Sequence, residues 1–424
     1  MKITLPYGHR YLEISVPDGT QVLESRIERM TSGKDADQLV REAMENPVGS
    51  PRLSELARGK KTALILLSDH TRPVPSRVIL PRMIGELRAG SPGIEIRFLV
   101  ATGTHRATTE EELRRKLGDS LYEAFPVSVH DAYDEANLVY LGDLPSGFPL
   151  HVNRACTETN LLVAEGFIEP HFFAGYSGGR KSILPGAAGF RAVSQNHCSA
   201  HIDHPLARTG ILEGNPIHRD MAAAAHMAGL AFIVNVVVDQ KQNLAAAFAG
   251  SPGRAHDAGC RFIEEYCRVA PVPGDIVITS NGGEPTDQNV YQCVKALTAA
   301  EATAAEGAVI IICAECSQGS GGDDFHRILR DGGSPEKLYA RIMQVPPEET
   351  EQDQWQCQIL ARILQKHTVI FVTRPELREM VTEMGFVYAA SPEEALEAAR
   401  REAGEEARIT AVPNGIAVVV EPQA

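Results

Sequence analysis

The sequence predicts an α/β protein of two domains, each a mostly parallel sheet flanked by helices, with an active site in the cleft between them. Three observations carry this expectation. The chain has 424 residues, more than the ~150 of a usual single domain. Short apolar runs alternate with helical patterns along most of it, the order that builds parallel sheets. The stretch VAPVPGD (269–275) then interrupts the alternation with two prolines and a glycine before a fresh strand. A boundary near residue 270 follows, giving an N-terminal unit 1–270 and a C-terminal unit 271–424.

The elements follow in chain order. MKITLPYGHRYLEISVPDG alternates apolar and polar residues around Gly8 and reads as a β-hairpin, with no signal peptide before it. KTALILLSD (61–69) is a buried strand, and SRVILPRMIGELRAG (76–90) an amphipathic helix. IEIRFLVATG (94–103) is the next strand, and TTEEELRRKLG (108–118) opens with a capping-box pattern from Thr108 to Glu111. NLLVAEGFI (160–168) is a third strand, HRDMAAAAHMAG (218–229) a helix and LAFIVNVVVD (230–239) a further strand. Beyond the boundary come the strand DIVITSNGG, a helix from Asp287, the strands AVIIICAE and TVIFVTR (368–374), and the helix PEEALEAARRE. The last strand, GIAVVVEP, is expected to cross back to complete either sheet.

Composition narrows the function. Hydrophobic residues make up 43% and charged residues 23%, ordinary globular values. A formal net charge of −14 argues against a nucleic-acid or anionic-membrane surface. No apolar run approaches the ~18 residues of a membrane span, so the chain reads as soluble and cytoplasmic. Of eight cysteines only CAEC (313–316) has a recognisable spacing. A single CxxC makes neither a zinc site nor a disulfide framework, so the thiols read as reduced and structural.

Four clusters of candidate chemistry lie just after predicted strands, where α/β proteins keep their ligands. SDHTRP (68–73) offers Asp69 and Arg72 as opposite charges and Thr71 as a donor. The same Asp69 could instead cap the next helix. ATGTHR (101–106) is a small-residue loop with His105 as a possible acid/base at its end. EPHFFAGYSGGRKSILPG (169–186) contains GYSGGRKS, close to a Walker A loop, but Arg180 stands where that motif needs its second glycine. A nucleotide-hydrolysing loop is therefore not expected, although its backbone could still present N–H groups to an anion. Burial and the neighbouring Arg180 would lower the pKa of Lys181, as a nucleophilic lysine requires. In HCSAHIDHP (197–205), His197 and His201 share a helical face by spacing, with Asp203 and His204 following, as in a metal site or a surface helix. In the second unit, YQCVK (291–295) puts Tyr291 and Lys295 on one helical face behind the loop SNGGEPTDQN, a solvated face or a carboxylate clamp.

Together these motifs resemble the nickel-dependent lactate racemase family. LPYG, SDHTRP, TGTHR, EPHFFAGYSGGRKSILPG, EGNPIHRD and YQCVK occur in that family's order and approximate spacing, over nearly the whole chain. The resemblance implies an isomerase acting on 2-hydroxy acids, with lactate the default substrate. It implies a nickel pincer nucleotide, Ni(II)-pyridinium-3,5-bisthiocarboxylate mononucleotide, tethered through Lys181 and with His197 as the nickel ligand. Asp69, His70, Thr71 and Arg72 would contact that cofactor, and His105 and His171 would be the acid/bases. Gln292 and Lys295, with Arg72, would hold the substrate carboxylate, and Tyr291 and Trp355 would line the pocket. The implied partners are a small 2-hydroxy acid and the enzymes that make and load the cofactor. His201 and His204 are additions the family pattern does not require, and CAEC has no assigned role.

The chemistry is consistent with that implication. The α-hydrogen of a hydroxy acid is too weakly acidic for a side-chain base, so loss of hydride with the hydroxyl proton taken by a base is the easier path. The planar keto acid can then be reduced on either face, and accepting both enantiomers calls for two bases. The alternatives are a racemase or epimerase of malate, phenyllactate or a sugar acid; a longer acidic substrate would need an extra cation, for which Arg180 is the nearest candidate. Other possibilities are a metal-dependent hydrolase or lyase built on the His197 cluster and a cofactor-binding protein without turnover.

Overall fold

The computed structural model describes residues 1–30, 33–239 and 243–421. Two six-stranded sheets organise it, as the α/β expectation requires. The first runs, edge to edge, Leu244–Gly250, Leu230–Val238, Leu161–Phe167, Thr62–Ser68, Glu95–Ala101, Val127–Val129. All neighbours are parallel except Leu244–Gly250, which pairs antiparallel. Its strands are continuous apolar runs because both faces are covered. Ile65, Leu67, Phe98 and Val163 pack under the helices Ala36–Glu45 and Ser76–Gly90, while Leu64, Leu66 and Leu162 face the other way.

The second sheet, Val387–Ala389, Thr368–Val372, Ala304–Cys313, Gly274–Ser280, Ile409–Val412 and Gln21–Val22, is parallel throughout. Its last strand comes from the other end of the chain. The hairpin Lys2–Tyr7 and Arg10–Ser15 also packs here, burying Ile3, Leu5 and Ile14 against Ile276, Ile278 and Ile311. The closing strand does not complete either sheet. Val419–Val420 pairs with Arg268–Val269 as a two-stranded ribbon, and Pro422 lies outside the described residues.

Sequence order fixes where ligands can gather. From Thr62–Ser68 the first sheet grows outward to Glu95–Ala101 and Val127–Val129. The chain then returns to the opposite side with Leu161–Phe167 and continues to Leu230–Val238. The two central strands diverge in connection, leaving a crevice beyond their carboxyl ends. Into it project the loops after residues 68, 101 and 167. The second sheet faces the same crevice through the helices Val290–Thr303 and Gln354–Leu364. Contact between the two units includes Gln358 Nε2 donating to the Ser199 carbonyl at 2.9 Å and the Tyr339 hydroxyl on Asp203.

Two local expectations change. The capping box falls one residue later, with Thr109 Oγ1 accepting from the Glu112 N–H at 3.3 Å and Glu112 accepting from the Thr109 N–H at 2.9 Å. Thr108 is withdrawn because its buried hydroxyl meets His70 Nδ1 at 3.1 Å. The strand Leu244–Gly250, sequence LAAAFAG, lacks β-branched residues and is created by its pairing with the neighbouring strand. Among the described residues no helix is long and apolar enough to cross a membrane.

Candidate active site

Eleven of the twelve residues to which the family resemblance gives a site role line one cavity of about 380 Å³ at the crevice. The exception is His70, whose ring turns towards Thr108 and stands 4.0 Å from Glu112. The loop after Thr62–Ser68 supplies Asp69, Thr71 and Arg72, and the loop after Glu95–Ala101 supplies His105. The long loop after Leu161–Phe167 supplies His171 and Lys181, with His197 just beyond the short helix Phe190–Asn196. From the second unit come Tyr291, Gln292 and Lys295, on a helix whose N-cap Asn289 accepts from the Gln292 N–H at 3.0 Å. Trp355 stands in the first turn of Gln354–Leu364.

His105 and Asp69 form a dyad. Nδ1 of His105 lies 2.6 Å from Asp69 Oδ2, while Asp69 Oδ1 accepts from the Thr71 N–H and hydroxyl at 3.1 and 2.6 Å. Burial opposes ionisation of Asp69, but His105, Arg72 and Thr71 outweigh it and hold the carboxyl well below its usual range. An ionised Asp69 assigns the ring proton to Nδ1 and leaves Nε2 as a basic lone pair. The His105 side chain is 45% exposed and the Asp69 side chain 3%, so only the imidazole is open to a ligand.

His171 and Lys181 form a second pair, with Nζ 3.3 Å from Nε2. The Ala174 N–H donates to His171 Nδ1 at 3.3 Å, which puts the neutral ring's proton on Nε2, facing the amine. Both groups titrate well below their ordinary values. Burial is the main cause, followed by Lys181 for the histidine and by Arg180 and Arg72 for the lysine. The pair therefore favours a neutral, nucleophilic amine over an ammonium.

Arg180 is not a cavity residue. Its buried guanidinium donates to the carbonyls of Ala174 (2.8 Å), Gly178 (3.2 Å) and Ser177 (3.3 Å) and meets His256 Nε2 at 2.8 Å, bracing the loop from behind. This removes it as the extra cation for a longer acidic substrate. Four of the loop's amides are already engaged. The amides of Tyr176, Ser177 and Lys181 bond within the loop, and that of Gly179 donates to Asn235 Oδ1 at 2.7 Å. Gly178, at φ +80°, has no room for a side chain, since a Cβ would stand 2.8 Å from the Phe167 carbonyl.

The predicted histidine cluster is dispersed. His197 ends one short helix, and Ser199–Asp203, carrying His201, is another, so the two do not share a face. His201 Nδ1 meets the Asn196 carbonyl at 3.1 Å, and His204 Nδ1 accepts from the Leu206 N–H at 3.2 Å. His197 Nδ1 donates to the Val193 carbonyl at 2.8 Å, leaving its Nε2 lone pair available. Burial, with Lys181 second, brings its pKa down to about 3, which keeps the ring neutral. Among the described residues no group of three or more His, Cys, Asp or Glu side chains could hold a metal.

Sequence reasoning missed Glu169 and Asp353. Glu169 Oε1 stands 3.7 Å from Arg72 Nη1 and also acts on Lys181 and Lys295. Asp353 lines the cavity beside Tyr291 and Trp355. All eight cysteines are buried and free, and Cys316 of CAEC rests 3.8 Å from Cys293, in keeping with structural thiols.

The brace behind the loop has a pH signature. Burial, then Arg180, holds His256 well below the usual imidazole range, and burial lowers His130 as well. Unfolded histidine titrates near ~6.5, so below that pH the unfolded chain binds more protons and stability falls. Each group adds a slope of up to about 1.4 kcal/mol per pH unit until its folded value is reached. Melting curves from about pH 7.5 to about pH 5 are expected to show this loss, with a shallower slope in His256→Asn.

A sequence model described as the lactate racemase N-terminal domain matches residues 7–210, and one for the lactate racemase C-terminal domain matches residues 269–420. The chain is 47% identical over 420 residues to a lactate racemase of Thermoanaerobacterium thermosaccharolyticum, covering 99% of each. It is 42% identical over 421 residues to a lactate racemase of Lactiplantibacillus plantarum, again 99% of each. The solved structure of the lactate racemase apoprotein from T. thermosaccharolyticum superposes with a TM-score of 0.96 at 46% identity, over 99% of this chain and 100% of that one. A Thermotoga maritima protein shares the fold at a TM-score of 0.66 and 19% identity, over 91% of this chain and 98% of that one.

Proposed function

The chain belongs to the lactate racemase family and is an isomerase; from that premise we propose that it interconverts the enantiomers of lactate using a covalently held nickel pincer nucleotide. The observation that supports this most is the convergence of one nucleophilic lysine, one imidazole with a free nitrogen, two further histidines and a cationic wall on a single cavity.

The donor set fits such a group. His197 offers one nitrogen, and among the described residues no protein cluster offers three donors. A metal held here therefore takes its other ligands from an organic molecule. Lys181 Nζ is the half-buried amine that would anchor it, with Asp69, Thr71 and Arg72 around it and His70 turned away towards Thr108. When bound, the cofactor supplies an electrophilic acceptor for the substrate's α-hydrogen.

The chain's own residues do the rest. Lys295 and Gln292, with Arg72, hold the carboxylate and fix the α-carbon, and Tyr291 and Trp355 close the pocket around it. His105 and His171 exchange the hydroxyl proton, one for each enantiomer. His105 is held in its productive tautomer by Asp69. His171 is kept neutral by its burial beside Lys181; to take the hydroxyl proton at Nε2 it must carry its own proton on Nδ1, in place of the 3.3 Å contact from the Ala174 N–H. In this reading the unit up to about residue 270 carries the cofactor, the unit beyond it carries the clamp, and the reaction takes place in the cytoplasm.

Intact-mass and nickel analysis after co-expression with the cofactor-making enzymes tests this. One nucleotide adduct on the Lys181 peptide, with conversion of L- to D-lactate by the loaded protein, is expected. An unmodified chain carrying zinc would favour a hydrolase or lyase instead, and a loaded chain inert towards hydroxy acids would make it a cofactor-binding protein.

A further inference from the structure

The cavity wall has an uneven charge. Arg72, Lys181 and Lys295 act on one another, with Glu169 beside them. Asp353 belongs to a different part of the wall, where the charges acting on it are Asp324 and His105. It caps the helix Gln354–Leu364 in the left-handed conformation, at φ 65°, which a non-glycine residue adopts only when its surroundings hold it there. Gln352 Nε2 donates to its Oδ1 at 2.8 Å, and Gly322 packs so closely that a Cβ there would be 3.3 Å from its Oδ2. Among the described residues the carboxylate forms no ion pair. Arg327 is engaged by Asp324 at 3.0 Å and Glu351 at 3.5 Å. Arg180 is turned away behind its loop.

We propose that Asp353 is a specificity-determining residue, restricting the substrate to 2-hydroxy monocarboxylates whose side chain carries no negative charge. This rests on the racemase reading. With the reacting carboxylate held by Arg72, Lys295 and Gln292, the remainder of the substrate faces the wall formed by His105, Tyr291 and Asp353. A methyl group meets no charge conflict there. A second carboxylate would sit against Asp353 in a partly desolvated site with no free cation to offset the repulsion.

The test uses cofactor-loaded enzyme with L-lactate and L-malate. Calorimetry gives the ratio of their dissociation constants, and turnover gives the ratio of their kcat/KM values. Asp353→Asn keeps the shape and the Gln352 contact, and is expected to shift both ratios towards malate by about tenfold, the effect of losing one like-charge contact. Asp353→Glu, which keeps the charge, is expected to remain near the wild-type ratios. Unchanged ratios in the Asn variant, or an equal shift in the Glu variant, would overturn the proposal. If Asp353→Asn does not fold, Asp353→Ser reads the same ratios. A loaded wild-type enzyme that racemises neither acid would overturn the functional reading itself, and this inference with it.

Discussion

Lys181→Ala is expected to lose the cofactor and, with it, racemisation by at least about 10³-fold, because a covalent anchor has no substitute in the cavity. The apoprotein should remain folded. Lys181 is a half-buried amine pressed by Arg180 and Arg72, with an imidazole 3.3 Å away as its hydrogen-bonding partner. Removing a poorly compensated ionisable group from such a site costs little or is favourable. The check is threefold: intact mass, nickel content and melting temperature, each for wild type and variant expressed with the cofactor-making enzymes. An inactive Lys181→Ala that still carries a full covalent adduct would refute the anchor.

His105→Ala and His171→Ala are each expected to cut kcat by about 10² to 10⁴-fold while retaining adduct and nickel, the usual effect of removing a positioned acid/base. Their surroundings make the two distinguishable. His105 is partly open, with only its Nδ1 engaged, so added imidazole should restore part of the activity of His105→Ala. His171 is buried, its ring centroid 5.0 Å from that of Phe172 and 4.5 Å from that of Phe173, and no solute can replace it. Measuring kcat with and without imidazole separates the cases. Equal rescue of both variants, or full activity in either, would contradict the assignment of one base to each face.

Sequence alone made the sheets legible where runs such as TALILL and VIII had to be buried on both faces. The site was legible for a related reason: in a parallel sheet the residues following a strand are carried to a common edge, so SDHTRP, TGTHR and the Lys181 loop were bound to meet. What could not be read were contacts set by tertiary packing. Arg180 looked like a cavity cation by its position next to Lys181, but alternate side chains of a tight turn point to opposite sides, and the guanidinium found three carbonyls behind the loop. His197 and His201 had helical spacing, yet the helix ends between them. Asp353 carried no local signal at all, because its importance comes from a neighbour, His105, nearly 250 positions earlier in the chain.

The hairpin at the start of the chain has a consequence for synthesis. Ile3, Leu5 and Ile14 are buried by Ile276, Ile278 and Ile311, and Gln21–Val22 waits for Ile409–Val412 to form its ladder. The first sheet draws all its strands from residues between Thr62 and Gly250. On the ribosome it can therefore assemble while the first-made segment still has no surface to bind. Arg26 N then meets the Tyr266 carbonyl at 2.7 Å, so the whole first sheet is threaded between two points that touch. The protein is one fold inserted within another, and the outer one closes only when nearly the last strand has emerged.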